Sequence, residues 1–206
     1  MNPDKTTIAD FLNFYGDEPC GRMLRWQIAS GHDDRIEILE EALDECYRRL
    51  VNGRKIDADE GETQLSKQVA DMLSTGGIAA RNEQDVNGHC DIVVEASSGF
   101  MWLGEAKVHG GYAWLEGGFL QLSTRYGTAM AGRDHGELII YLRGEKALTV
   151  LTTWKDRLLG SDSNIVLTQD IENSKLYFKT RHTCENSGHD FHVRHAIVPL
   201  THNPRK

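Results

Sequence analysis

A β-branched run and a second strand-like run on either side of a short turn constrain this chain more than anything else in it. His89-Cys90-Asp91-Ile92-Val93-Val94-Glu95 and Phe100-Met101-Trp102-Leu103-Gly104-Glu105-Ala106-Lys107-Val108 flank Ser97-Ser98-Gly99, the pattern of two strands folding back as a hairpin. Side chains alternate across a strand, so Glu105 and Lys107 project from one face. The returning strand can lay Asp91 beside them. Two carboxylates converging on a point suit a hard divalent cation such as magnesium, with manganese able to substitute. A lysine next to that cation can hold a phosphate or an attacking water.

The flanking segments carry helical periodicity. Leu65, Val69, Met72 and Leu73 fall on one stripe, and Glu62 lies on that same stripe near the helix start. A carboxylate on a core-facing stripe is costly unless something pairs it, as a metal site would. The plainer account is a glutamate favoured by the helix dipole. Downstream, Tyr112 to Ala131 has the helical period, with Trp114, Leu115, Phe119, Leu122, Tyr126, Ala129 and Met130 as its apolar stripe. Gln121 and Arg125, one turn apart, share an edge of that stripe. Gly117 and Gly118 each weaken the helix by about 1 kcal/mol against alanine, or else let it approach another backbone closely. A buried strand over 137–143, a helix from about 146 to 158, and strands near 175–182 and 191–200 follow.

Asp91 followed by Glu105-Ala106-Lys107 resembles the signature of the PD-(D/E)xK nuclease superfamily, the restriction endonuclease-like fold. Cys90 stands where that family often has proline. The run from Glu62 to Leu142 reads α-β-β-β-α-β, the family's core order. The resemblance implies an α/β fold in which a mixed central sheet is flanked by helices, with a helical extension before it and a β-hairpin after it. It implies that Glu62, Asp91 and Glu105, with the backbone carbonyl of Ala106, bind magnesium. It also gives Lys107 and Gln121 catalytic roles beside Asp91 and Glu105. The expected activity is metal-dependent endonucleolytic hydrolysis of phosphodiesters, most naturally in DNA. Trp102–Lys107 and the Trp114-Leu115-Glu116, Gln121-Leu122 and Tyr126 positions are also similar to small nuclease proteins of prokaryotic anti-phage defence. The alternative is a catalytically silent scaffold of the same fold, which would need none of Asp91, Glu105 or Lys107.

Composition bounds the rest. The chain has 206 residues, 39% of them apolar, enough for a core. It has no run of about 18 apolar residues, so no spanning helix is expected. Met1-Asn2-Pro3-Asp4-Lys5 lacks a signal pattern, pointing to a cytoplasmic protein. Cys20, Cys46, Cys90 and Cys184 are scattered and suit reduced thiols. We expect a helical extension over 1–55 and a nuclease-like domain over 56–206. In the extension, Ile36, Leu39, Leu43, Cys46, Tyr47 and Leu50 lie on one helix that begins at Asp33-Asp34 and ends at Asn52-Gly53. Its helices can pack on the core, dimerise or bind a partner, with packing the default.

Residues 1–96 carry 10 Lys+Arg against 20 Asp+Glu, a net of −10, and residues 97–206 carry 13 against 11, a net of +2, together the chain's −8. A strong DNA binder usually shows a basic footprint. Help from a second copy or a partner protein of a defence complex is therefore expected, through residues 8–50. His189, His192 and His195 cluster near Cys184, but the spacing is not that of a zinc motif and a strand turns His192 away from His195. His89 and His109 flank the acid cluster.

Overall fold

A computed structural model describes residues 7–55, 60–85, 89–172 and 174–202. Met1 to Lys5 and the Tyr126 side chain lie outside this description. The elements are α1 (Ile8–Tyr15), α2 (Pro19–Ile28), α3 (His32–Gly53), α4 (Glu62–Thr75), β1 (Ala80–Asp85), β2 (His89–Glu95) and β3 (Met101–Val108). They continue with α5 (Tyr112–Leu120), β4 (His135–Leu142), α6 (Ala147–Ser161), β5 (Val166–Gln169), β6 (Tyr177–Thr183) and β7 (Asp190–Pro199).

The seven strands form one sheet in the order β1-β2-β3-β4-β7-β6-β5. β3, β4 and β7 run parallel, and the outer pairs are antiparallel. This is a mixed α/β architecture with helices on both faces. The period-2 alternation divides the core in two. Ile92, Val94, Trp102, Ala106, Ile139, Tyr141 and Val198 meet α2, α3 and α4. Val93, Leu103, Leu138, Ile140, Phe178 and Ile197 meet α5 and α6. The β2–β3 turn folds through positive φ at Ser98 (63°) and Gly99 (77°), a conformation glycine adopts without steric cost.

α3 packs into the same core as α4 and the sheet. Its apolar stripe, from Ile36 through Leu50, is buried. Below it lies a polar network: Tyr47 Oη donates to Glu137 Oε1 at 2.7 Å, and Arg194 donates to Glu137 Oε2 at 3.3 Å while also pairing with Asp44. Arg35 donates to the Ser97 carbonyl at 2.8 Å, fastening α3 to the β2–β3 turn. The α3 stripe therefore packs on the core, the default expected of it, and is not open to a partner. Within the N-terminal extension, the large apolar side chains left exposed among the described residues are on α1 and α2, including Ile8, Phe14, Met23 and Ile28.

Three expectations change. The helix predicted over 112–131 gives way after Leu120 to a π-helical turn, Gln121–Tyr126, and the chain is extended by Gly127. Thr124 Oγ1 donates to the Leu120 carbonyl at 2.6 Å, competing with the backbone ladder, and Ala129 takes φ 46°. Within this turn Gln121 is half-buried and Arg125 is exposed. Second, Trp114 and Met130, assigned to the apolar stripe, are exposed. Third, β5 is an additional edge strand, and the C-terminal hairpin β6–β7 is built into the sheet, since β7 pairs with β4.

Candidate active site at the end of β3

The last rung between β2 and β3 is Ile92 with Gly104. One step further sets Asp91 across from Glu105, on the same face. There the ladder stops, and the Asp91 carboxylate takes over from it: Oδ2 accepts the Ala106 backbone N–H at 2.8 Å. Asp91 is thereby held by the strand that carries Glu105 and Lys107. Its own carbonyl accepts from Asn82 Nδ2 at 3.0 Å, so β1 steadies it from behind.

Glu62 arrives from the first turn of α4. Its Oε2 accepts the Val108 backbone N–H at 2.9 Å, and its Oε1 lies 3.3 Å from Lys107 Nζ. The helix start is thus fastened to the strand end by the carboxylate that the sequence put on the apolar stripe. Lys107 Nζ donates to Glu105 Oε1 at 2.6 Å, placing the ammonium between the two glutamates. Gly118 of α5 permits this. A Cβ there would come within 2.9 Å of Lys107 Cγ and 3.0 Å of Leu138 Cδ1, so the glycine gives the lysine its channel beneath the helix. Trp114 stands above, with Lys107 Nζ 5.4 Å from its ring centroid.

Burial governs the electrostatics. Glu105 is pushed up to about 7, mainly by desolvation, against the pull of its hydrogen bond to Lys107. Asp91 is raised for the same reason, opposed by the Ala106 N–H. Burial disfavours the Lys107 ammonium, but the hydrogen bond to Glu105 and the neighbouring acids outweigh it, so its pKa is raised. Desolvated carboxylates competing for one cation are a common feature of functional sites.

Glu105 Oε2 is buried and has no hydrogen-bond partner among the described residues. A buried carboxylate oxygen without a donor is costly. A hard divalent cation would satisfy it, and Asp91 Oδ1 and Glu62 can supply further oxygens of the kind magnesium takes. The donor chemistry of these residues suits such an ion. Lys107 now stands among them as the positive charge. Among the described residues, Glu62, Asp91 and Glu105 do not bring three ligand atoms within 4.8 Å of one another; that closeness is reached only by His32, Asp134 and His135.

Of the residues predicted for the site, Asp91, Ala106, Glu105, Lys107 and Glu62 are brought together. Gln121 is not joined to them: it is half-buried at the start of the π-helical turn, and among the described residues it makes no hydrogen bond to Glu105 or Lys107. His109 leaves β3 toward Glu145, its Nδ1 3.3 Å from Oε1, with Nε2 buried and unpartnered. His89 is exposed. Glu83 was not foreseen. It lies across from Asp91 in the β1–β2 register with φ 51° and adds to the charge that raises Asp91. Only the unusual backbone at Glu83 marks it, and the sequence carries no sign of that. No family model, no curated protein and no solved structure matches this chain.

Proposed function

We propose that the chain is a metal-dependent nuclease that hydrolyses phosphodiester bonds, with DNA as substrate, and that its α4-β1-β2-β3-α5-β4 order is a restriction endonuclease-like core. The observation that carries this reading is Glu105: a buried carboxylate with one oxygen on Lys107 and the other without a partner. Asp91, Glu105, Glu62 and the Ala106 carbonyl would hold magnesium, which when bound polarises the phosphate and lowers the pKa of a water. Lys107 holds the attacking water and offsets charge developing at phosphorus. Asp91 keeps Ala106 aligned through its backbone N–H. Glu62 keeps the strand end and α4 together. Trp114, exposed above Lys107, offers a face on which a base can stack.

The acidic balance of the chain favours a second copy or a partner protein to supply affinity for the phosphate backbone. The exposed apolar residues of α1 and α2 are the surface for it. A cytoplasmic role in anti-phage defence follows from the sequence resemblance. Among the described residues no helix is long and apolar enough to cross a membrane.

The test is nicking of supercoiled plasmid by the purified full chain, with magnesium, with manganese and with excess chelator, beside Glu105→Ala. The expected outcome is nicking that needs the metal and is lost in Glu105→Ala. Cleavage that persists in chelator sinks the mechanism. A folded, metal-binding protein that cleaves neither DNA nor RNA supports the silent scaffold instead.

A further inference from the structure

At the opposite end of the parallel pair, β4 begins with His135, opposite Trp102 of β3. His135 shares the face of Glu137, Ile139 and Tyr141, away from the face that carries Glu105 and Lys107. Two chain segments meet there: the start of α3, which brings its first residue, His32, and the start of β4, which brings Asp134 just before the strand and His135 as its first residue. His32 Nε2 lies 2.7 Å from Asp134 Oδ1, His135 Nδ1 lies 3.0 Å from the same oxygen, and the two ring nitrogens are 3.2 Å apart.

Hydrogen bonds alone satisfy this triangle poorly. Each imidazole nitrogen has one in-plane site, either an N–H or a lone pair. If both rings donate to the one Asp134 oxygen, their two N–H protons crowd each other, because the nitrogens are only 3.2 Å apart. If one ring donates to the other, its contact with the carboxylate goes unmade. A cation at the centre satisfies all three atoms at once. The separations also suit it, because bonds of 2.0–2.1 Å to a tetrahedral ion place ligand atoms about 3.3 Å apart.

The surroundings hold the ligands in place from several sides. The His32 ring packs on Phe100 with centroids 5.3 Å apart, and His135 stacks on His192 at 4.6 Å with 12° between planes. The Asp134 carbonyl accepts the His192 backbone N–H at 2.8 Å, joining β7 to the cluster. The three side chains remain 23–29% exposed, which leaves a side open to water.

We propose that His32, Asp134 and His135 form a binding site for a late divalent transition-metal ion, zinc foremost, that braces the start of α3 against the start of β4 and keeps one position for water. Two imidazoles and one carboxylate select such an ion over magnesium, which prefers oxygen. The site is separate from the acid cluster in position, face and ligand chemistry.

The experiment is calorimetric titration of chelator-stripped full-length protein with zinc chloride, with thermal melts of the same samples. Wild type should bind one zinc per chain and melt about 5 °C higher at roughly a hundredfold excess over Kd. His32→Ala and His135→Ala should each weaken binding ~100-fold, while Glu105→Ala leaves it unchanged. Circular dichroism of the stripped variants confirms that they fold. Should either histidine variant unfold, cobalt absorption of wild type is the second measurement: intense visible bands of a tetrahedral site support the proposal, and the weak bands of hexaaqua cobalt overturn it. Wild type that neither binds zinc nor gains thermal stability overturns it as well. So does a folded His32→Ala protein that binds zinc as wild type does.

Discussion

Two buried glutamates sit on neighbouring strands of one sheet, and burial pushes each up to about 7. Their surroundings differ. Glu137 on β4 is fully enclosed, with Oε1 on Tyr47 and Oε2 on Arg194, whose guanidinium also pairs with Asp44. Glu105 on β3 has Lys107 on one oxygen and, among the described residues, no partner on the other. A carboxylate saturated by its neighbours fixes the register of an α3–sheet interface and leaves no valence for a ligand. One left under-coordinated near the end of a strand is a place for a cation. The contrast separates a structural buried charge from a candidate functional one without reference to any other protein.

The largest difference should appear when each is truncated. Glu105→Ala should lower metal-dependent nicking by ~1,000-fold or more while the melting temperature barely falls. Glu137→Ala should do the reverse, destabilising by about 3–5 kcal/mol because it takes one of two carboxylates from the buried Arg194 and the acceptor from Tyr47 Oη. Urea melts beside nicking assays measure both. Equal losses of stability in the two variants would erase the distinction.

pH sharpens it further. A glutamate whose pKa is raised by folding lends stability that is complete below its unfolded value, near the ordinary 4.5, and is lost as pH rises through about 7. Wild type should therefore lose melting temperature between pH 5 and pH 8 relative to Glu137→Gln. His195, which burial pushes down to about 3, acts in the opposite sense but is common to both proteins and cancels. Glu105 has the same shift with a functional consequence: nicking should rise as pH passes through about 7 and the carboxylate ionises. At limiting magnesium, where the proton competes with the metal for the carboxylate, a rate that is flat from pH 5.5 to 8.5 would remove Glu105 from the metal.

The smallest effect concerns the lysine channel. Gly118→Ala puts a methyl within 2.9 Å of Lys107 Cγ, so Lys107 must shift while Glu137 and its network are untouched. We expect a loss of about 1 kcal/mol or a little more in stability and a roughly tenfold loss in nicking. Gly117→Ala, with open space around its Cβ, is the control and should be neutral or mildly stabilising. Loss of activity in Gly117→Ala alone would show that α5 is sensitive for some other reason.

What the sequence determined by itself was local and periodic. The two strand-like runs around Ser97-Ser98-Gly99 specify the hairpin, and alternation puts Glu105 and Lys107 on one face, while the register that adds Asp91 to that face, with Ile92 opposite Gly104, came from the structure. The stripes of α3 and α4 were legible for the same reason, and so was the oddity of Glu62 on one of them. Tertiary structure decided what depends on contacts distant in sequence. The four-residue edge strand β5 is defined only by its pairing with β6. The π-helical turn over Gln121–Tyr126 comes where the Thr124 hydroxyl competes with the backbone for the Leu120 carbonyl, which a uniform helical period does not register. Trp114 matches the apolar stripe by type but faces outward over Lys107. His32, Asp134 and His135 converge from positions about a hundred residues apart, and no spacing rule reaches that far. Periodicity fixes which way a side chain faces on its own element, whereas only packing decides what it meets.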